Sequence, residues 1–311
     1  MNVERKTCDK SFIPGTYMSQ KKNGRRAWRR VSSALVAPSL VLLVACGSDG
    51  DDPSPTAPTG QAYLDEIFQV EVENGIQYGS ALDENGAEEA LRLDLFRPTD
   101  DDQGLRPAVV WLHGGSFQQG GKGQVTEFSR RFSQRGYVAA AVNYRLREND
   151  VFDYTNPDDE LAQQVKLDAQ HDVQAAVRWL RANADAYSID ADRIFVVGYS
   201  AGGTTALRVA SSPDDPGTSG NPDYSSSVKA AVAIAAYPEN GTLESIEGRT
   251  LLIHGENDAK VPLEMVEEAC SSVSRCQLVP VPDAGHSMLQ PAKEPIITET
   301  AAFLRDEVVG A

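Results

Sequence analysis

Cysteine and histidine are scarce in this chain of 311 residues, four of each, and no metal-binding spacing accompanies the cysteines. No metal or other cofactor is therefore expected. Basic residues are outnumbered, 29 Lys and Arg against 45 Asp and Glu. The first 45 residues hold nine of the basic residues and two of the acidic ones, so the remainder carries 20 against 43, a net charge of −23. Such acidity speaks against nucleic acid or an anionic membrane surface as a partner and says little about substrate. Long apolar runs are also missing: 31–45, VSSALVAPSLVLLVA, is short and interrupted by Pro38 and three serines, which makes it a poor membrane-spanning helix. No internal repeat and no long apolar insertion is present. What is there, 41% hydrophobic residues, is ample for one large α/β domain with appendages and excludes a disordered chain.

A basic stretch at 21–30, the apolar run at 31–45 and then Cys46 form the pattern of an export signal. Leu43-Val44-Ala45-Cys46 resembles a bacterial lipobox, whose cysteine is acylated and becomes the first residue of the mature protein. That resemblance implies a cell-envelope protein tethered by lipid at Cys46, with no other membrane contact. Gly47 in place of aspartate implies the outer membrane where the host has one. An ordinary cleaved signal with an incidental cysteine is the alternative. The basic region lies far from Met1, so Met18 is a candidate true start. Residues 47–60, rich in Gly, Pro, Ser, Thr and Asp, form a flexible spacer, and the catalytic domain runs over 61–311. Export places Cys270 and Cys276 in oxidising surroundings, where they are candidates for a disulfide.

Apolar, β-branched runs at 67–74, 91–98, 108–115, 137–144, 193–200, 228–237, 250–258 and 277–283 read as strands. Helix patterns lie between them at 124–135, 160–185, 201–211, 263–274 and 294–308. The first two strands alternate polar and apolar residues, as exposed antiparallel strands do, whereas the later ones are nearly continuous apolar runs, as buried parallel strands are. The expectation is an α/β fold with a mostly parallel eight-stranded sheet flanked by helices on both faces. The irregular stretches 145–161, with Phe152 and Tyr154, and 211–227 are candidates for loops that shape a substrate crevice; for the second, a plain surface loop is an equal alternative.

The chemistry centres on Gly198-Tyr199-Ser200-Ala201-Gly202, a G-x-S-x-G sequence directly after a predicted strand and directly before a predicted helix. A sharp strand-to-helix turn lifts the serine hydroxyl above the sheet edge, and the helix N-terminus favours developing negative charge there. A bland alternative is that Ser200 only caps the helix. A serine hydroxyl needs a base, and His286, in a Gly-containing loop after the last strand, is placed for it. Asp258 and Glu256 are rival carboxylates for orienting that imidazole. His254 reads as a packed core histidine and His171 as surface or structural. His113-Gly114-Gly115-Ser116-Phe117 follows the third strand, and main-chain amides of Gly115 and Ser116, with that of Ala201, are candidates for an oxyanion hole; a mere tight turn is the alternative.

HGGSF, NYRL (143–146), DVQAAVRWLRANADAY (172–187), GYSAGG, HGEND and AGHSM, in this order, resemble the carboxylesterase branch of the α/β-hydrolase fold, nearest the HGGG-type esterases related to hormone-sensitive lipase and the feruloyl and acetyl esterase-like group. The resemblance spans residues 66–308. It implies a triad of Ser200, Asp258 and His286, with Asp258 preferred over Glu256 because its D-x-x-V-P ending matches the family pattern. It also implies hydrolysis of small carboxylic esters through an acyl-enzyme on Ser200, short-chain or aryl esters above long ones because no lid insertion is seen. Two departures stand out: Ser116 replaces the third glycine of HGGG, and Tyr199 replaces the acidic residue usual before the serine in the hormone-sensitive-lipase branch. A serine peptidase of the same fold and a catalytically silent binding protein are the alternatives.

Overall fold

The computed structural model describes residues 63–99, 104–148, 150–153 and 155–310. The expected export signal, Cys46, the spacer at 47–60 and the loop residue Tyr154 lie outside them. In chain order the elements are β1 (Gln69–Leu82), β2 (Glu88–Thr99), β3 (Arg106–Leu112), a 3₁₀ turn (Lys122–Gln124), α1 (Thr126–Gln134), β4 (Val138–Val142), α2 (Glu160–Ala182), α3 (Ala184–Tyr187), β5 (Ile189–Tyr199), α4 (Ala201–Ser211), β6 (Ala230–Ile234), α5 (Thr242–Ser245), β7 (Arg249–Gly255), α6 (Leu263–Ser271), β8 (Cys276–Val281) and α7 (Lys293–Val309).

The strands form one eight-stranded sheet in the order β1-β2-β4-β3-β5-β6-β7-β8. The β1/β2 and β2/β4 pairs are antiparallel and the other pairs parallel. The continuous apolar runs are explained by burial on both faces. Val110, Leu112, Ala140, Val196 and Leu252 point into a core shared with α2, α4 and α6, and Val109, Trp111, Ala139, Phe195 and Ile253 into one shared with α1 and α7. Trp111 packs its ring against both Phe128 and Phe132 of α1, centroids 5.1 Å apart in each case. From β3 the chain moves outward to β4 and then crosses back to β5 on the other side of β3. The order therefore reverses between β3 and β5, and in an open α/β sheet the crevice beyond the strand ends opens at that point.

Several boundaries differ from the sequence reading, each for a local reason. β1 continues to Leu82 because two register shifts, between Glu73 and Ile76 and between Gln77 and Gly79, break the alternation that marks a strand in sequence. β3 ends at Leu112, before the HGG segment leaves the ladder, and β7 ends at Gly255, so that Asp258 sits in the following loop and not at the strand end. There the Asp258 Oδ1 accepts the amides of Lys260 and Val261, both at 2.9 Å, and so closes a turn. α6 stops at Ser271, and the expected bond between Cys270 and Cys276 is formed across the turn into β8. The stretch 211–227 makes no hydrogen bond to Ser200, Asp258 or His286 among the described residues. It follows α4, which carries the chain about 16 Å away from Ser200 at ~1.5 Å per residue, and it packs on β1 and α2: Ser80 N–H donates to Ser219 O at 3.1 Å and Asn221 Nδ2 to Tyr78 O at 2.8 Å. His171 holds the same stretch, its Nε2 3.2 Å from Asp215 Oδ2, which is the structural role expected of it. Among the described residues no helix is long and apolar enough to cross a membrane.

The segment after β4 is fixed by a buried charge cluster. Arg145, 8% exposed, gives its guanidinium and its main-chain amide to Asp172 of α2, which is fully buried and also accepts the Ser219 hydroxyl at 2.6 Å. Removing the carboxylate leaves the buried guanidinium with Asp168 at 3.7 Å and main-chain carbonyls as partners, so Asp172→Ala is expected to lower the unfolding free energy by about 3 kcal/mol, the low end for a broken buried pair, measured by urea titration; a loss below about 1 kcal/mol would contradict this account.

Two buried histidines make stability depend on pH. His113, just after β3, and His254, within β7, are 0% and 1% exposed, and burial holds both imidazoles below their ordinary value of 6.5. In the unfolded chain they take up protons near that value while the folded chain keeps them neutral. Their contribution is complete above about pH 6.5 and is lost as the pH falls below it. The urea midpoint is expected to decline between pH 7.5 and 5.5, above the carboxylate range, and His254→Gln should flatten the decline. Equal slopes for variant and parent would refute the assignment.

Candidate active site

Ser200 occupies the turn between β5 and α4 with φ 53° and ψ −120°. A non-glycine residue pays strain for this left-handed backbone, and two hydrogen bonds hold it there: Ser200 N–H to Ile234 O at 2.8 Å and Thr204 N–H to Ser200 O at 3.0 Å. The turn also needs close contact with β3. A Cβ on Gly202 would stand 2.4 Å from the His113 carbonyl oxygen, so only glycine admits that approach. The Ser200 side chain accordingly emerges at the C-terminal edge of β5, at the switch point.

Across the sheet edge, the loops after β7 and β8 are joined by Asn257 N–H to Ala284 O at 2.8 Å. This brings Asp258 and His286 together with Ser200. His286 Nε2 lies 2.9 Å from Ser200 Oγ, and His286 Nδ1 lies 2.8 Å from Asp258 Oδ2. The carboxylate only accepts, which puts the imidazole proton on Nδ1 and turns the Nε2 lone pair toward the serine hydroxyl. Glu256, the rival carboxylate, is exposed, and its amide continues the β7–β8 ladder to Val281 O; no hydrogen bond among the described residues links it to His286. Asp258 is 5% exposed and accepts from Lys260 N, Val261 N and His286. A second imidazole reaches it as well: His254 Nε2 is 2.8 Å from Val261 O and 3.3 Å from Asp258 Oδ2. The carbonyl contact requires a proton on Nε2, and burial keeps that ring neutral. The core histidine read from sequence is thus also a neighbour of the site's carboxylate, which the strand pattern alone did not reveal.

The HGG segment lies against the serine. A Cβ on Gly114 would fall 3.1 Å from Ser200 Cβ. Gly115, Ser116 and Phe117 have φ values of 130°, 56° and 62°, three consecutive residues in the left-handed region that make a tight turn closed by Gln118 N–H and Gln119 N–H on Gly115 O. No hydrogen bond among the described residues claims the amides of Gly115, Ser116 or Ala201. The segment is braced from behind. Tyr144, kept neutral by burial, donates its hydroxyl to His113 O at 2.8 Å and stacks on the His113 ring at 4.3 Å. Arg147 N–H reaches Phe117 O at 2.8 Å, and Gln118 Nε2 reaches Asp150 O at 2.6 Å. The stretch 145–161 therefore borders the site, as expected of a loop after a strand. Tyr199 adds a contact that the sequence marked only as a departure from a pattern: its hydroxyl donates to the His286 main-chain carbonyl at 2.8 Å. Among the described residues no group of three or more His, Cys, Asp or Glu is arranged to hold a metal.

A hydroxyl, an imidazole and a carboxylate in series, facing unclaimed amides at a helix N-terminus, are equipped for nucleophilic attack on a carbonyl. The comparisons with known proteins agree in kind. Residues 93–245, just under half of the chain, match the BD-FAE family model, and residues 221–309 match the model of TAP-like proteins. The para-nitrobenzyl esterase of Bacillus subtilis is 29% identical over 128 residues, 41% of this chain and 25% of that protein. A probable carboxylic ester hydrolase, LipM, of Mycobacterium tuberculosis is 30% identical over 129 residues, 41% and 27% respectively. The matched region spans about a quarter of the length of these curated relatives. Esterase 2 of Thermogutta terrifontis, phosphorylated by paraoxon, superposes with a TM-score of 0.61 at 23% identity, covering 77% of this chain and 94% of the other. Its butyrate-bound form gives 0.59 at 22% identity, covering 78% and 94%. With the eight-stranded sheet, its strand order and the Ser200 turn at the switch point, these likenesses identify the chain as an α/β-hydrolase fold protein.

Proposed function

We propose that this protein is a serine carboxylic ester hydrolase. The observation that carries the reading is the unbroken chain of hydrogen bonds from Ser200 Oγ through His286 to Asp258, at 2.9 and 2.8 Å. His286 Nε2 takes the hydroxyl proton as Ser200 Oγ bonds to the ester carbonyl carbon. The carbonyl electrons move to oxygen, where the amides of Gly115, Ser116 and Ala201 receive the negative charge. The protonated imidazole, stabilised by Asp258, then gives its proton to the departing alkoxide. Water, activated by the same imidazole, releases the acid from the acyl-enzyme.

Small, short-chain or aryl esters are the proposed substrates. The absence of a lid-forming apolar insertion supports this, as does the capture of a structural neighbour with butyrate. On p-nitrophenyl acetate, Ser200→Ala is expected to lose at least about 10⁴-fold in kcat and to take up no fluorophosphonate, while the parent's activity should fall along an acyl series from acetyl and butyryl to longer chains. Full activity in the variant would end the reading, and a maximum at long acyl groups would end the substrate assignment.

The proposed location is the cell envelope, with acylated Cys46 as the sole membrane attachment. Its support is the basic, apolar, Leu43-Val44-Ala45-Cys46 sequence; more than one acyl chain, at ~0.8 kcal/mol per buried CH₂, makes such an anchor durable. Cells fed a labelled fatty acid should mark the parent but not Cys46→Ser, and an unlabelled parent in the soluble fraction would rule the anchor out.

A further inference from the structure

We propose that Tyr199 is a positioning residue for the base: its hydroxyl holds the main chain of the loop that carries His286, so that one imidazole meets Ser200 and Asp258 at once. This rests on the ester-hydrolase reading above and adds a part to it.

The imidazole is held at its two ring nitrogens, by Ser200 and by Asp258. The backbone that carries it has far less support. On one flank Asn257 N–H bonds Ala284 O, and on the other Ala292 N–H bonds Met288 O. Between them, for residues 285–287, the hydrogen bond among the described residues that reaches the main chain is the one from Tyr199 Oη to His286 O at 2.8 Å. When the serine hydroxyl gives up its proton and its oxygen moves to the substrate carbon, one of the two ring contacts changes partner. The Tyr199 bond does not take part in that exchange and keeps the ring's origin in place through it.

Tyr199 is suited to this because it is itself fixed. It is the last residue of β5, paired with Ile234 of β6, and it directly precedes the nucleophile. Its ring lies against the bare Cα of Gly114: a Cβ there would fall 2.7 Å from Tyr199 Cδ1 and 2.9 Å from Cε1. Its centroid is 6.1 Å from that of His286. One side chain therefore bridges the HGG segment, the serine turn and the histidine loop. An acidic side chain at this position, as in the hormone-sensitive-lipase pattern, has no proton to donate to a carbonyl when ionised, so the departure at Tyr199 and the anchoring of the loop form a single feature of this chain.

Tyr199→Phe removes the hydroxyl oxygen and leaves the ring on Gly114. Small misplacements of a catalytic group are costly, up to about 10²-fold for 1 Å. The expected result is a fall of about tenfold in kcat on p-nitrophenyl acetate with KM unchanged. Fluorophosphonate labelling of Ser200 should slow to match, and the low-field proton resonance of the His286 Nδ1–H should broaden, with the melting temperature held. Parent-like kcat, labelling rate and proton resonance in the variant would overturn the proposal. A kcat loss that merely accompanies a lowered melting temperature and a raised KM would overturn it equally, as general loosening. A parent protein that takes up no fluorophosphonate would defeat the ester-hydrolase reading instead, so the two failures are distinguishable.

Discussion

The left-handed backbone at Ser200 is the constraint from which the rest of the site follows. A chain leaving a parallel strand and entering a helix that packs back on the same sheet must reverse within one residue. At φ 53° that residue carries strain of order 1–3 kcal/mol when it is not glycine. The surroundings hold it in place. Main-chain bonds to Ile234 O and from Thr204 N–H fix the turn, and Gly202 lets the helix start approach the His113 carbonyl. Because the turn lies where the strand order reverses, the loops after β3 and β5 flank one opening, and a helix N-terminus is directed at it.

Around that turn the polar groups are interlocked in surroundings where each bond is strong and each unpaired group expensive. Asp258 is nearly buried, yet its oxygens meet two amides, the His286 imidazole and, at longer range, His254. The carboxylate is thereby aimed at the His286 ring by contacts internal to the protein. Behind the HGG segment, Tyr144 and Arg147 hold main-chain carbonyls, and the Arg145–Asp172 pair ties the same stretch to α2. Desolvated charge placed there contributes rigidity near the reacting groups and not chemistry of its own.

The order of the strands, the two-sided burial of the central ones and the five longer helices were legible in the sequence, because apolar periodicity reports burial directly; the single-turn α3 runs together with α2 in one pattern and the single-turn α5 is missed. Ser200 and His286 could be picked out as candidates too, one through the small residues flanking a strand-to-helix turn, the other through its place in a Gly-containing loop after the last predicted strand. Misreadings arose where local pattern and three-dimensional position part company. The bulges in β1 hid half of that strand. The stretch 211–227 has a composition that suits a binding loop and a plain surface loop equally; its bonds to β1 and α2, which composition does not record, fix where it lies.

The sequence by itself thus determined the fold class and singled out Ser200, His286 and the segments around them as candidates, since each is written in residues adjacent along the chain. Tertiary structure alone brought Asp258, already preferred over Glu256 from its D-x-x-V-P ending, to the His286 ring, made His254 a neighbour of the carboxylate and joined the Tyr199 hydroxyl to a carbonyl 87 positions away. Those choices depend on strand register and on where loops cross beyond the sheet edge. They are set by hydrogen bonds between residues distant in the chain, for which no local pattern in the sequence is required.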